Sequence, residues 1–129
     1  MLPFSISLKS GVPIYQQVIY AVTRAVVTGQ LRAGDAFPSV RTLSQELKIN
    51  PNTAHRIVGA LIEQGLLVVR PGIGTEVADA RRAPTAVHRE TLEHDVERLT
   101  VAARHAGLSL PDVVAAVRRQ WARLTSPRE

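Results

Sequence analysis

Apolar residues return at helical spacing from Ile14 onward: Ile14, Val18, Ala21, Val22, Ala25 and Val26 share one side, which predicts a first helix. Pro13 suits its first turn, where a missing N–H costs nothing, and Gly29 ends it. A shorter second helix is expected behind Ser39 as N-cap. In it Val40, Leu43 and Leu47 face inward at i, i+3 and i+7, which leaves Arg41, Gln45 and Lys48 on the solvated side. Asn50 as N-cap and Pro51 at the first helical position open a third helix to about Gln64, with Gly65 as its left-handed stop. Ala54, Ile57, Val58, Leu61 and Ile62 form the buried stripe of that helix. Its opposite face presents Asn52, His55, Arg56 and Gly59, with Thr53 beside them in the first turn.

Beyond the third helix the hydrophobic period changes from helical to extended. Leu66 to Arg70 and Thr75 to Val77 are aliphatic or β-branched runs separated by Pro71-Gly-Ile-Gly74, the pattern of a hairpin with a glycine tip. Short helices followed by such a hairpin occur in this order in winged helix-turn-helix DNA readers. The expected fold class is therefore mainly α, an α+β winged helix-turn-helix with three helices and a hairpin wing over residues 1–78. Ahead of it Phe4, Ile6 and Leu8 alternate with Ser5 and Ser7, which predicts a short extended arm within residues 1–12. Leu31 to Pro38 reads as a connecting loop anchored by Leu31 and Phe37, with Gly34 supplying a turn.

After the wing, residues 79–84 read as a polar hinge, and a helix is expected from about Thr85 to Ala106 with Val87, Leu92, Val96, Leu99 and Ala103 along one side. Gly107 breaks it. Ser109 caps a last helix, with Asp112 three residues on in a variant of the capping box. Leu110, Val113, Val114, Val117, Trp121 and Leu124 line one of its faces. Two amphipathic helices on a short turn cannot bury both stripes within one chain. Residues 85–129 are therefore expected to form a helical dimerisation segment through Leu92, Val96, Leu99, Leu110, Val113, Val117 and Trp121.

Charge then selects among partners. The 129 residues carry a formal net charge of +5, shared between both halves of the chain, which favours a polyanion such as nucleic acid or anionic lipid. Cysteine is absent, which excludes disulfides, zinc fingers and thiol catalysis and permits a reducing compartment. The N-terminus shows no secretory leader, and the aliphatic patches fall far short of the ~20 residues a membrane span needs. A cytoplasmic protein with no membrane partner is expected.

Pro13-Ile-Tyr-Gln-Gln, Gly29-Gln-Leu-Arg-Ala-Gly-Asp, Pro38-Ser-Val-Arg, Asn50-Pro-Asn-Thr, Gly65-Leu and Gly72-Ile-Gly-Thr, in this order and spacing, strongly resemble the DNA-binding domain of the GntR family of bacterial transcription regulators. The two-helix tail, with Ala103-Arg-His-Ala-Gly-Leu-Ser at its turn, is similar to the YtrA subfamily, where the segment after the wing serves as a dimerisation unit. Other branches carry a large effector domain or a pyridoxal-phosphate aminotransferase there. The stretch after Ala80 is too short for either, which argues against an enzyme. Position 58 is Val where many relatives carry an aromatic residue, and His55 occupies a variable recognition position, so no operator sequence transfers. The resemblance implies a homodimeric repressor of a bacterial operon acting on a palindromic double-stranded DNA operator, control of neighbouring transporter genes, and relief by a ligand or envelope stress. No residue identifies a small-molecule effector.

The chemistry of the exposed positions is compatible with that role. Arg41 offers a planar fork that can pair with O6 and N7 of guanine, and in relatives the matching arginine contacts bases or backbone; the bland alternative is a solvated arginine paired with Glu46. Asn50-Pro-Asn-Thr supplies free N–H groups at a helix start, suited to a phosphate, with Asn52 and Thr53 as the contacts and Asn50 and Pro51 shaping the turn. His55 and Arg56 face bases or phosphates, and Lys48 adds charge. Gly59 either permits close approach of a partner or is a tolerated flaw. Gly72 and Gly74 let the wing tip meet a minor groove or phosphate strand, with Arg70 and Thr75 as donors. A nucleotide-binding glycine loop fails for want of a following helix and lysine. Glu90, His94 and Glu97 share a helical face that reads as solvated surface, and no metal, cofactor or catalytic constellation is expected. The alternative function is a winged-helix module that binds RNA or another protein.

Overall fold

Helix formation follows the apolar stripes closely. In the computed structural model, which describes residues 1–79 and 86–125, the order is α1 (Ile14–Val27), α2 (Val40–Leu47), α3 (Pro51–Glu63), β1 (Leu67–Arg70), β2 (Gly74–Val77), α4 (Ala86–His105) and α5 (Leu110–Thr125). The chain divides into two compact units after Ala80. Of the hinge read at 79–84 only Asp79 falls among the described residues, as do none of 126–129.

In the first unit, α3 packs on both α1 and α2 and leads into β1. Val18 and Val22 of α1, Leu43 of α2 and Ala54, Ile57 and Leu61 of α3 are fully buried, so the i, i+3, i+4 stripes of three helices meet in one core. Gly65, with φ +78°, reverses the chain after α3, and the Leu66 N–H returns to the Leu61 carbonyl at 2.9 Å. β1 and β2 pair antiparallel with Leu67 opposite Val77 and Arg70 opposite Gly74, and the buried Leu67 and Val77 join the hairpin base to the core.

Two segments differ from the pattern reading. The arm forms no strand; instead Phe4 is buried with its ring stacked on Phe37, centroids 5.8 Å apart and planes within 2°. Gln17 of α1 holds the backbone behind it: its Oε1 accepts from Lys9 N at 2.6 Å and its Nε2 donates to the Lys9 and Val12 carbonyls, each at 2.9 Å. Ladder bonds are thus replaced by one amide side chain. The second difference is the loop before α2, which is a sheet partner. Phe37 N donates to Thr75 O at 2.9 Å, Val77 N to Asp35 O at 2.8 Å and Gly34 N to Val77 O at 2.8 Å, with a bridge between Ala36 and Glu76. β2 is therefore hydrogen-bonded along both edges.

In the second unit, α4 and α5 meet near their shared turn, where Leu108 N donates to Ala103 O at 3.0 Å and Gly107 takes φ +79°. The capping box forms: Ser109 N donates to Asp112 Oδ2 at 2.9 Å, and Asp112 N donates to Ser109 Oγ at 3.3 Å. These bonds hold the Asp112 carboxyl below its ordinary value of 3.8, the Ser109 backbone N–H contributing most. A carboxylate lowered on folding supports the fold above its unfolded pKa and loses that support as pH falls through the folded value. Helicity read by circular dichroism should accordingly decline below about pH 4, and the decline should be shallower in Asp112→Asn, whose cap does not titrate. No helix among the described residues is long and apolar enough to cross a membrane.

Candidate nucleic-acid interface

The surface begins with the turn into α3. Asn50 is extended (φ −60°, ψ 134°) and its Oδ1 accepts from Asn52 N at 2.7 Å, while Pro51 occupies the first helical position. Because Ala54, Ile57, Val58 and Leu61 are buried, helical geometry turns Asn52, His55, Arg56 and Gly59 to solvent, with Thr53 half-buried beside them. A Cβ added at Gly59 would meet nothing within 4 Å, so crowding inside the chain does not demand glycine there.

On α2, Ser39 Oγ accepts from Thr42 N at 3.1 Å and sets the first turn, leaving Arg41 exposed on a rigid element. The pairing with Glu46 does not occur: Glu46 binds the N-terminal ammonium at 2.8 Å, and among the described residues no carboxylate pairs with Arg41. Lys48 corrects the helical reading. It is the residue that closes α2, left-handed at φ 55° and ψ 49°, and the Ile49 N–H behind it returns to Ser44 O at 3.0 Å. That conformation costs a side-chain-bearing residue about 1–2 kcal/mol. Lys48→Gly should therefore raise stability by about 0.5–1 kcal/mol in a thermal melt, the relief being partly offset by glycine's extra freedom when unfolded. If the ammonium meets a phosphate, the same change weakens operator and random DNA alike in an anisotropy titration.

At the wing, Ile73 N donates to Arg70 O at 3.0 Å across Pro71 and Gly72, and Gly72 adopts φ +78°, as a turn with proline second and glycine third requires. Gly74, at φ +128°, opens β2. The tip presents Ile73, 81% exposed. Arg70 is not a free donor: its Nε pairs with Glu76 Oε1 at 2.8 Å across the hairpin. Thr75 is half-buried, and its carbonyl is taken by Phe37.

Comparison with known proteins decides the family. The description "Bacterial regulatory proteins, gntR family" matches residues 14–77, from the start of α1 to the end of β2. The chain belongs to the GntR family. Similarity also extends past the wing: the HTH-type transcriptional repressor YtrA of Bacillus subtilis (strain 168) is 28% identical over 103 residues, covering 79% of each chain. The solved YtrA of Sulfolobus acidocaldarius, a GntR-family transcription factor, superposes with a TM-score of 0.56 at 25% identity over 95% of this chain and 99% of that one. A transcriptional antiterminator from Listeria monocytogenes shares the fold with a TM-score of 0.83 at 20% identity, over 98% and 95% of the two chains.

As a GntR protein the chain is a DNA-binding transcription regulator. Arg41 lies on α2, Lys48 closes that helix, and Asn52, Thr53, His55 and Arg56 lie on α3, which packs against α2; Gly72 and Gly74 lie at the wing turn. Pattern reasoning missed two residues near this surface. Tyr15 of α1 lies beneath the Arg56 guanidinium, 5.1 Å from Cζ to ring centroid, and Ile73 stands at the wing tip. The first has no signal in helical periodicity, since it depends on two helices packing. The second was legible as an apolar residue between glycines.

Proposed function

We propose that the chain is a cytoplasmic homodimeric repressor that sets two copies of α3 in successive major grooves of a roughly palindromic operator. The observation that carries this reading is the outer face of α3, where Asn52, His55, Arg56 and Gly59 are exposed while the opposite face of the same helix is sealed in the core. In this role Asn52 and Thr53 meet a phosphate at the helix start, His55 and Arg56 meet base edges or phosphates, Arg41 reads guanine, and the glycines of the wing approach the neighbouring backbone. Asn50 and Pro51 shape the turn. The pairing of its Nε with Glu76 leaves Arg70 only its terminal N–H groups to offer at the wing.

Dimerisation is assigned to α4 and α5. In the single chain Leu92, Leu110 and Trp121 are 58%, 75% and 71% exposed, Val96, Leu99 and Val117 are also open, Val113 is half-buried, and Ala103 is the one buried residue described in either helix. Such a surface gains on the order of 25 cal/mol for each Å² of apolar area covered. The resemblance to a repressor named YtrA supports repression as the direction of control.

Selection of duplex fragments by the purified protein, followed by footprinting, tests the whole reading. Two protected half-sites about one helical turn (~34 Å) apart and affinity that falls steeply with salt are expected. A single unsymmetric footprint, or preference for RNA, would favour the adaptor alternative. Calorimetry against candidate metabolites tests for a small-molecule effector.

A further inference from the structure

Arg56 and Arg70 are both held by neighbours, but in chemically different ways. Arg70 gives its Nε–H to the Glu76 carboxylate, which spends a donor and neutralises the charge. Arg56 instead lies over the Tyr15 ring at 5.1 Å, within the roughly 6 Å reach of a cation–π contact. A cation–π contact is electrostatic and takes no carboxylate or carbonyl as a partner for the guanidinium. Among the described residues no carboxylate pairs with Arg56, so its N–H donors are uncommitted and its charge is undiminished. Tyr15 is itself fixed, because it sits half-buried on α1 and packs against the core that joins α1 to α3. The ring thus restrains a long, exposed side chain of the reading helix without competing for anything that side chain would offer to DNA.

We propose that Tyr15 is a positioning residue for DNA recognition, holding the Arg56 guanidinium in place while leaving its donor edge open to a phosphate or a guanine. This rests on the DNA-binding reading above. Replacing the ring by a non-aromatic side chain of similar bulk removes the restraint but not the charge, so affinity falls by roughly twofold to fivefold at each half-site. In a paired-site complex that factor enters twice.

The test is a double-mutant cycle on the full chain, with affinity for the selected operator read by fluorescence anisotropy. Tyr15→Leu should weaken binding, Tyr15→Phe should bind like the parent because the aromatic face is kept, and Tyr15→Leu should cost nothing further when added to Arg56→Ala. The Arg56 Nε–H proton resonance of the free protein, shifted by the ring, should move toward its ordinary position in Tyr15→Met as well as in Tyr15→Leu, which secures the readout if one variant folds poorly. Equal losses from Tyr15→Leu with and without Arg56 would show a merely structural role and overturn the inference. Loss in Tyr15→Phe equal to that in Tyr15→Leu would assign the effect to the hydroxyl and overturn it too. A parent chain that bound no duplex DNA would instead sink the functional reading itself, whereas a parent that binds and a Tyr15→Leu variant that binds as well sinks only the role of Tyr15.

Discussion

Trp121→Glu combined with Leu92→Glu is expected to give a chain that folds normally, sediments as a monomer at micromolar concentration and loses at least a hundredfold in affinity for a paired operator. Both side chains are mostly exposed in the single chain, so glutamate there removes little internal packing. Against a second copy the situation reverses. A buried tryptophan anchor is worth about 2–4 kcal/mol or more at an interface, and an unpaired carboxylate in its place adds a desolvation penalty. The twofold symmetry of the proposed dimer repeats each loss. Once the tail no longer links two reading heads, the second half-site must be filled from bulk solution, forfeiting the roughly 10²- to 10⁴-fold advantage of linkage. Analytical ultracentrifugation and an operator titration check the two parts separately. A variant that remained dimeric would move the interface elsewhere.

The second large effect is expected at Arg41. Arg41→Ala should lower affinity for the selected operator by about 5- to 150-fold per half-site, the equivalent of about 1–3 kcal/mol for a bidentate contact to guanine. Binding to random DNA should fall much less, since only one charge near the backbone is lost. The structure sharpens this expectation, because no carboxylate among the described residues occupies the guanidinium and α2 holds its base rigidly. Equal losses on operator and random duplexes would identify a phosphate contact instead. Melting temperature should be unchanged, as the side chain is exposed and makes no described bond.

Much of the reading domain was legible because its signals are local. The Asn50 cap, the proline after it, the glycine at 65 and the stripe from Ala54 to Leu61 each act within a few residues, and the observed α3 follows from them. The apolar runs either side of Pro71 and Gly74 likewise mark both strands. What was not legible depends on partners distant in sequence. Phe4 looks like one member of an alternating arm, and only the arrival of Phe37 turns it into core. Residues 34–37 carry no strand pattern, since their ladder bonds are decided by the edge that β2 leaves open. Lys48 fits a helical face by count, yet the chain has to turn before Asn50, and the residue is drawn into a left-handed stop. Arg70 reads as a wing donor until the hairpin register brings Glu76 within reach.

The hydrogen bonding of β2 along both of its edges has a consequence for the DNA. With the segment before α2 stitched to one edge of β2 and β1 to the other, the spacing between the wing and the start of α2 has a set gauge, like a caliper locked before measuring. A duplex whose grooves do not fit that gauge has to bend or narrow to be held, and the energy of doing so differs from one base sequence to another. Selectivity would then extend to base pairs that no side chain touches.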